Sequence, residues 1–251
     1  MKLPLEYNTL SKFFDAVGSG STSDTNHVVE KILKKYKVKT VLDLTCGTGS
    51  QVFWLSKRGY KIIGSDFSPE LIKIAKRKAK EKNLKTKFLI GDMRTQQLGK
   101  FDAVITIFNA IGHLTKAGFT KALKNIHKNL NKNGIYVFDI FNVASLNDKD
   151  LSDLDMDITK TVDGVKIHIF QYSRLDKRKG KLISYDHYFF PQKSGEAKKL
   201  KVEFALQIYT AKELQRLLTK NGFKVLSLCG RDGKKFSEKR TKEMLMVAQR
   251  M

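Results

Sequence analysis

Cysteine and proline are scarce: the 251 residues contain two of the first and three of the second. Two thiols make no disulfide framework, and neither Cys46 nor Cys229 has the neighbours that zinc ligation requires. Nowhere does an apolar run reach the length needed to cross a bilayer. The opening MKLPLEYNTLSKFFDAVGSGS also lacks the unbroken apolar core of a secretion signal. A cytoplasmic protein with no membrane contact is therefore expected. Repeats of fixed period and low-complexity tracts are missing too, and 41% hydrophobic residues spread along the chain suffice for a core. The length suits one α/β domain over residues 1–251.

Acidic residues are also in short supply, 25 against 48 Lys and Arg, which leaves a formal charge of +23. Runs such as KIAKRKAKEKNLK (73–85) invite nonspecific attraction to nucleic acid. Lysines on solvated helix faces account for the same excess, and no run alternates basic and aromatic residues as a stacking groove would. An RNA partner thus stays open on charge alone.

From about residue 26, apolar strand-like runs alternate with helical patterns, the rhythm of a mostly parallel sheet with helices on both faces. KTVLDL, KIIGSD, TKFLIGD, FDAVITIF and GIYVFDIF supply five strands. Ser68-Pro69-Glu70 opens a helix with a cap, a proline suited to the first turn and an acid at the positive end of the dipole. After Asn142 the rhythm changes to VKIHIFQYSRL, GKLISYDHYFF and KKLKVEFALQIY. These alternate in polarity as an antiparallel sheet with one wet face does. The α/β rhythm then resumes with a capping box, Thr210 to Glu213, and two more strands, KVLSLCG and EMLMVAQ. The expected fold is a seven-stranded, mostly parallel Rossmann-like sheet with an antiparallel lid inserted over 157–209.

The first strand runs into a glycine turn, Cys46-Gly47-Thr48-Gly49-Ser50-Gln51-Val52. A dinucleotide fingerprint wants a third glycine where Val52 stands, and a phosphate-binding P-loop wants Gly-Lys-Ser/Thr, which does not follow. What is present instead is an acid in or at the end of each of three successive strands: Asp43, Asp66 and Asp92, the last followed by Met93. Such carboxylates repel a pyrophosphate but suit ribose hydroxyls, an adenine amino group and a cationic sulfonium, the chemistry of S-adenosylmethionine (SAM).

Through VLDLTCGTG, GSDFSPELIKIAKRK, GDM and FDAVITIFNAIGHL the chain resembles the class I SAM-dependent methyltransferases, over nearly all of its length. The resemblance implies that Cys46, Gly47 and Gly49 pass under the methionine part of SAM. It implies that Asp66 holds the ribose hydroxyls with Phe67 against adenine, that Asp92 and Met93 meet the adenine amino group, and that Phe108 borders the cofactor. Each has a plainer reading: Asp43 bracing the loop, Asp66 and Asp92 capping helices, Met93 and Phe108 as core.

Acceptor identity is poorly written in such chains, because the sulfonium is itself a strong electrophile and the protein mainly positions the acceptor and excludes water. No Asn/Asp-Pro-Pro-Tyr and no Pro-Cys follows the fourth strand, which removes the adenine-N6 and cytosine-C5 classes. FNAIGHL (108–114) and the inserted sheet resemble instead the small-molecule N-methyltransferases of the glycine/sarcosine and amino-sugar types. On that basis His113 is the candidate general base, a neutral imidazole near its ordinary pKa, and Asn109 the candidate to orient the amine. The other assignments are a backbone-satisfied histidine and a turn asparagine. His127, His168 and His187 fall on helix or strand faces. Relatives carry a Tyr-Asp pair near the N-terminus, where this chain has Phe14-Asp15. The hydroxyl is missing there, and Tyr7, one helical segment earlier, is the candidate to stand in, with Phe14 beside substrate. The rival functions are an RNA methyltransferase and a non-catalytic SAM-binding partner protein.

Overall fold

The structure, a computed structural model, describes residues 4–17, 22–147, 151–152, 155–191 and 198–251. Part of the expected lid, 192–197, thus lies outside the described residues. Among the described residues, eleven strands form two sheets. The larger comprises β1 (Thr40–Asp43), β2 (Lys61–Asp66), β3 (Lys87–Ile90), β4 (Phe101–Thr106), β5 (Leu130–Phe141), β10 (Phe223–Gly230) and β11 (Glu243–Arg250). Its order is β10-β11-β5-β4-β1-β2-β3, and only β11 runs against its neighbours. The order reverses at β1, so the crevice beyond the strand ends opens beside the glycine turn, where open α/β sheets bind ligands.

Successive residues along these strands feed opposite cores, which is why they read as continuous apolar runs. Leu42, Val104, Tyr136 and Phe138 face one side, with α5 (Lys116–Asn129) and α6 (Ala211–Lys220) packed on them. Val41, Ile105, Ile135 and Val137 face the other, against α2 (Thr22–Lys35), α3 (Ser50–Ser56) and α4 (Pro69–Glu81). The caps are where the sequence placed them: Ser68 Oγ accepts from the Leu71 amide, and Thr210 and Glu213 form a reciprocal capping box. α1 (Phe14–Val17) is a single turn ending the N-terminal segment, which carries two 3₁₀ turns, Leu5–Tyr7 and Ser11–Phe13.

The second sheet is antiparallel, in the order β6 (Met156–Val162), β7 (Val165–Asp176), β8 (Lys181–Phe190) and β9 (Lys198–Gln207). Three of these strands are the alternating runs read above. β6 was not foreseen, because MDITKTV is polar or exposed at most positions and belongs to an edge. The sheet's inner face packs Ile167, Ile169 and Tyr188 on Leu10 and Phe13 of the N-terminal segment. On its outer face Lys166, His168, Phe170, Tyr172 and Arg174 of β7 share a side, with the rings grouped between two cations.

Candidate active site

A cavity of about 1010 Å³ runs from the glycine turn to the inner face of the β6–β9 sheet. At one end, β1 stops at Asp43 and the chain turns through Gly47 (φ +52°) and Gly49 (φ +97°), both in the left-handed region that favours glycine. The turn is fastened to β2: Asp66 Oδ2 accepts the Gly47 amide at 2.9 Å and Oδ1 accepts the Ser68 amide at 2.9 Å. Burial pushes the Asp66 carboxyl up while these amides pull it back. Asp43 is fully enclosed, accepts the Thr45 amide, and is raised to about 8 by burial, with the charge of Asp66 adding to the effect. It does not line the cavity, nor does Gly49; both support the turn from behind.

Cys46, Gly47, Asp66, Phe67, Asp92 and Met93 do line it. Burial takes the Cys46 thiol well above its usual range, so it is an inert packing group here. Phe67 is 55% exposed, an apolar ring held out over the cleft. Asp92 lies two residues past β3 and is gripped by the Arg94 guanidinium through both oxygens, which holds its carboxyl below the usual range. Phe108 and Asn109 follow β4 with φ of +64° and +57°, a strained turn that aims the chain back over the cleft.

The other end is built from distant segments. Tyr7 Oη lies 3.4 Å from His113 Nε2, Phe14 meets the Tyr7 ring edge-on, and Phe204 of β9 lies against the imidazole. Phe14 also rests on the glycine turn, where a Cβ on Gly47 would come within 3.3 Å of its ring. Asp15 is tied down by Thr48 Oγ1 and by Lys78. His113 does not keep its ordinary pKa: burial lowers it to about 4. The imidazole is therefore neutral throughout the physiological range, a hydrogen-bonding group and a weak base.

Several lining groups escaped the sequence reading. Tyr188 Oη lies 2.8 Å from Glu6 Oε2 and 3.0 Å from Asp186 Oδ2, and Glu6 and Asp186 line the cavity. Burial raises both carboxyls, Glu6 to about 7. Arg231, in the turn after β10, reaches the fully buried Asp139, pairs with Glu243 and lies over the Phe108 ring at 5.4 Å. Asp139 also accepts the Asn109 amide, so this cluster holds the strained turn in place. Nothing in the linear sequence links residues 92 positions apart.

Residues 41–134 match the family model described as a methyltransferase domain. The demethylmenaquinone methyltransferase of Thermus thermophilus is 36% identical over 38% of this chain and 44% of its own length. The glycine/sarcosine N-methyltransferase of Parasynechococcus marenigrum is 33% identical over 43% of this chain and 40% of its own. The chain spans about half the length of the curated relatives it matches. Over whole chains, a SAM-dependent methyltransferase from Clostridium acetobutylicum superposes with a TM-score of 0.78 at 17% identity, covering 97% of this chain and 98% of that one. The sugar N-methyltransferase KedS8 from Streptoalloteichus does so with 0.76 at 19% identity, covering 96% and 92%. Residues 41–134 are thus similar to a methyltransferase domain, and over its whole length the chain shares the fold of these solved methyltransferases.

The lining residues fit SAM, the cofactor on which the Clostridium acetobutylicum methyltransferase depends. Asp66 has carboxylate lone pairs beyond those its two amide bonds use, as vicinal ribose hydroxyls require. Among the described residues, six buried side-chain polar atoms have no hydrogen-bond partner. Four of them, on Thr45, Gln51, Asn109 and His113, belong to residues lining this cavity. Buried polar groups are normally paired, so this clustering marks a place built around a polar ligand.

Proposed function

We propose that the protein is an enzyme that transfers the methyl group of SAM to a nitrogen atom of a small molecule. The observation that carries this reading is the single cavity joining the Asp66 end to the Tyr7–His113–Phe204 end beneath the second sheet. Bound SAM supplies an electrophilic methyl; the protein holds the acceptor in line with it and keeps water out. Residues 1–251 then form one methyltransferase domain, with 157–209 as its lid, working in the cytoplasm.

In this reading Asp66 receives the ribose, Phe67 covers adenine, Asp92 and Met93 border its amino group, and Cys46, Gly47 and Phe108 flank the methionine portion. Asp43 and Gly49 hold the turn that shapes that floor. Asn109, His113, Tyr7 and Phe14 surround the acceptor. An amine is a nucleophile only when neutral. A base lowered to about 4 is a poor sink for an ammonium proton, so the amine enters already neutral, His113 orients it by accepting an N–H hydrogen bond, and the methylated ammonium keeps its proton as it leaves. This role replaces the general-base role expected from the sequence.

The nitrogen assignment rests on this arrangement and on the likeness to proteins named as N-methyltransferases. It is tested by supplying SAM with a ¹³C-labelled methyl group to protein and a metabolite extract, then reading the product by NMR. N-methyl and O-methyl carbons resonate apart, so an O-methyl product overturns the nitrogen assignment and leaves methyl transfer standing. Transfer into RNA is the outcome that the charge of +23 would favour.

A further inference from the structure

The β6–β9 sheet has a second face, turned away from the cavity. On it, β7 and β8 pair His168 with Phe189, Phe170 with His187 and Tyr172 with Tyr185. The rings form a ladder. Tyr172 and Tyr185 stack at 4.9 Å with an interplanar angle of 13°, and His168 and Phe189 at 5.4 Å and 27°. Phe170, next to His187, is 38% exposed, one of the few large apolar side chains this open to solvent. Cations bracket the ladder: Lys166 and Arg174 at the flanking outward positions of β7, both exposed, and Lys199 with its Nζ 5.6 Å from the Phe189 ring centre. Lys201 is opposite His187.

We propose that this outer face binds a single-stranded polynucleotide, its bases stacking on Phe170, Tyr172 and Tyr185 and its phosphates meeting Lys166, Arg174 and Lys199. Outward residues two apart along a strand are separated by roughly 7 Å, a stride that an extended polynucleotide with splayed bases can follow. Aromatic rings on an open antiparallel sheet accept any base by stacking, and cations beside them neutralise phosphates. A second copy of the chain fits this face less well. Its outward charges are Lys166, Arg174, Lys181, Lys199 and Lys201 against Asp157, Asp176 and Glu203, and two copies of a chain carrying +23 repel. The face lies opposite the cavity, so the proposal concerns binding and does not depend on which acceptor is methylated.

The test is fluorescence anisotropy with the full chain and labelled 20-mers of uridine and of thymidine, in a salt series, with inorganic polyphosphate as a polyanion lacking bases. Binding to either oligonucleotide is expected to weaken steeply with salt and to be tighter than to polyphosphate. Preference between the two identifies RNA or DNA. In the double variant Phe170→Ala/Tyr172→Ala the charge is unchanged, and oligonucleotide affinity should fall about fivefold or more per ring while polyphosphate binding stays put. The conservative pair Phe170→Tyr/Tyr172→Phe keeps both rings and should bind as the parent does, which separates stacking from a folding defect. Oligonucleotide binding that survives the alanine pair, or is no tighter than polyphosphate binding, overturns the proposal. So does a protein that binds no oligonucleotide and forms a dimer that the alanine pair disperses.

Discussion

Replacing Asp66 by asparagine exchanges one carboxylate oxygen for an amide nitrogen at the point where the glycine turn is fastened to β2. The carboxylate accepts two backbone amides, from Gly47 and Ser68, each at 2.9 Å. An asparagine has one acceptor oxygen, so one of those amides faces an NH₂ group. A buried donor without a partner costs about 1–3 kcal/mol. Removing a charge that burial already disfavours returns part of that cost, so the net loss of folding stability is about 1–2 kcal/mol. The effect on SAM is separate. One ribose hydroxyl loses an anionic acceptor worth about 1.5–3 kcal/mol, which raises Kd roughly 10- to 150-fold. Calorimetric titration with SAM, alongside thermal melting of the free protein, reads the two effects independently. A variant that melts near the parent and binds SAM within twofold of it would refute the assignment of Asp66 to the ribose.

Three further outcomes follow from the geometry. His113→Ala should leave SAM affinity unchanged and, as the loss of one orienting hydrogen bond of about 1.4 kcal/mol, lower kcat about tenfold; because the imidazole is already neutral above about pH 4, the parent's kcat should show no titration near pH 6.5. Glu6→Gln should change how stability depends on pH. The Glu6 carboxyl rises from 4.5 to about 7 on folding, so the folded state prefers it protonated. The parent therefore loses about 3 kcal/mol between pH 4.5 and 7.5, and urea melts of the variant should show that much less decline. Gly49→Val should destabilise by about 3 kcal/mol or more in urea melts and reduce SAM binding, because the position has φ +97° and a Cβ there lies 2.8 Å from the Phe53 ring.

What the sequence revealed was local or periodic. Ser68 and the Thr210–Glu213 pair act within one turn of helix, so three or four residues contain the whole interaction. Asp66 could be found because it ends a strand that alternates between two buried faces. β6 was hidden because an edge strand has little apolar periodicity to show. The Glu6–Tyr188 contact joins residues 182 apart, and the Arg231–Asp139–Glu243 cluster closes only after β11 inserts between β10 and β5. The low pKa of His113 is a product of burial beside Tyr7 and Phe204, segments on opposite sides of it in the chain. The aromatic ladder likewise depends on the register of β7 with β8; half of it lies in each strand.

The central claim is methyl transfer from SAM to a small molecule. It is tested most directly by incubating purified protein with SAM carrying a labelled methyl group and a cell extract, then separating small-molecule, RNA and protein fractions. Label is expected in the small-molecule fraction, and it should be lost with Asp66→Asn at SAM concentrations below that variant's Kd. Label confined to RNA or protein, or absent from every fraction while SAM binds, would contradict it.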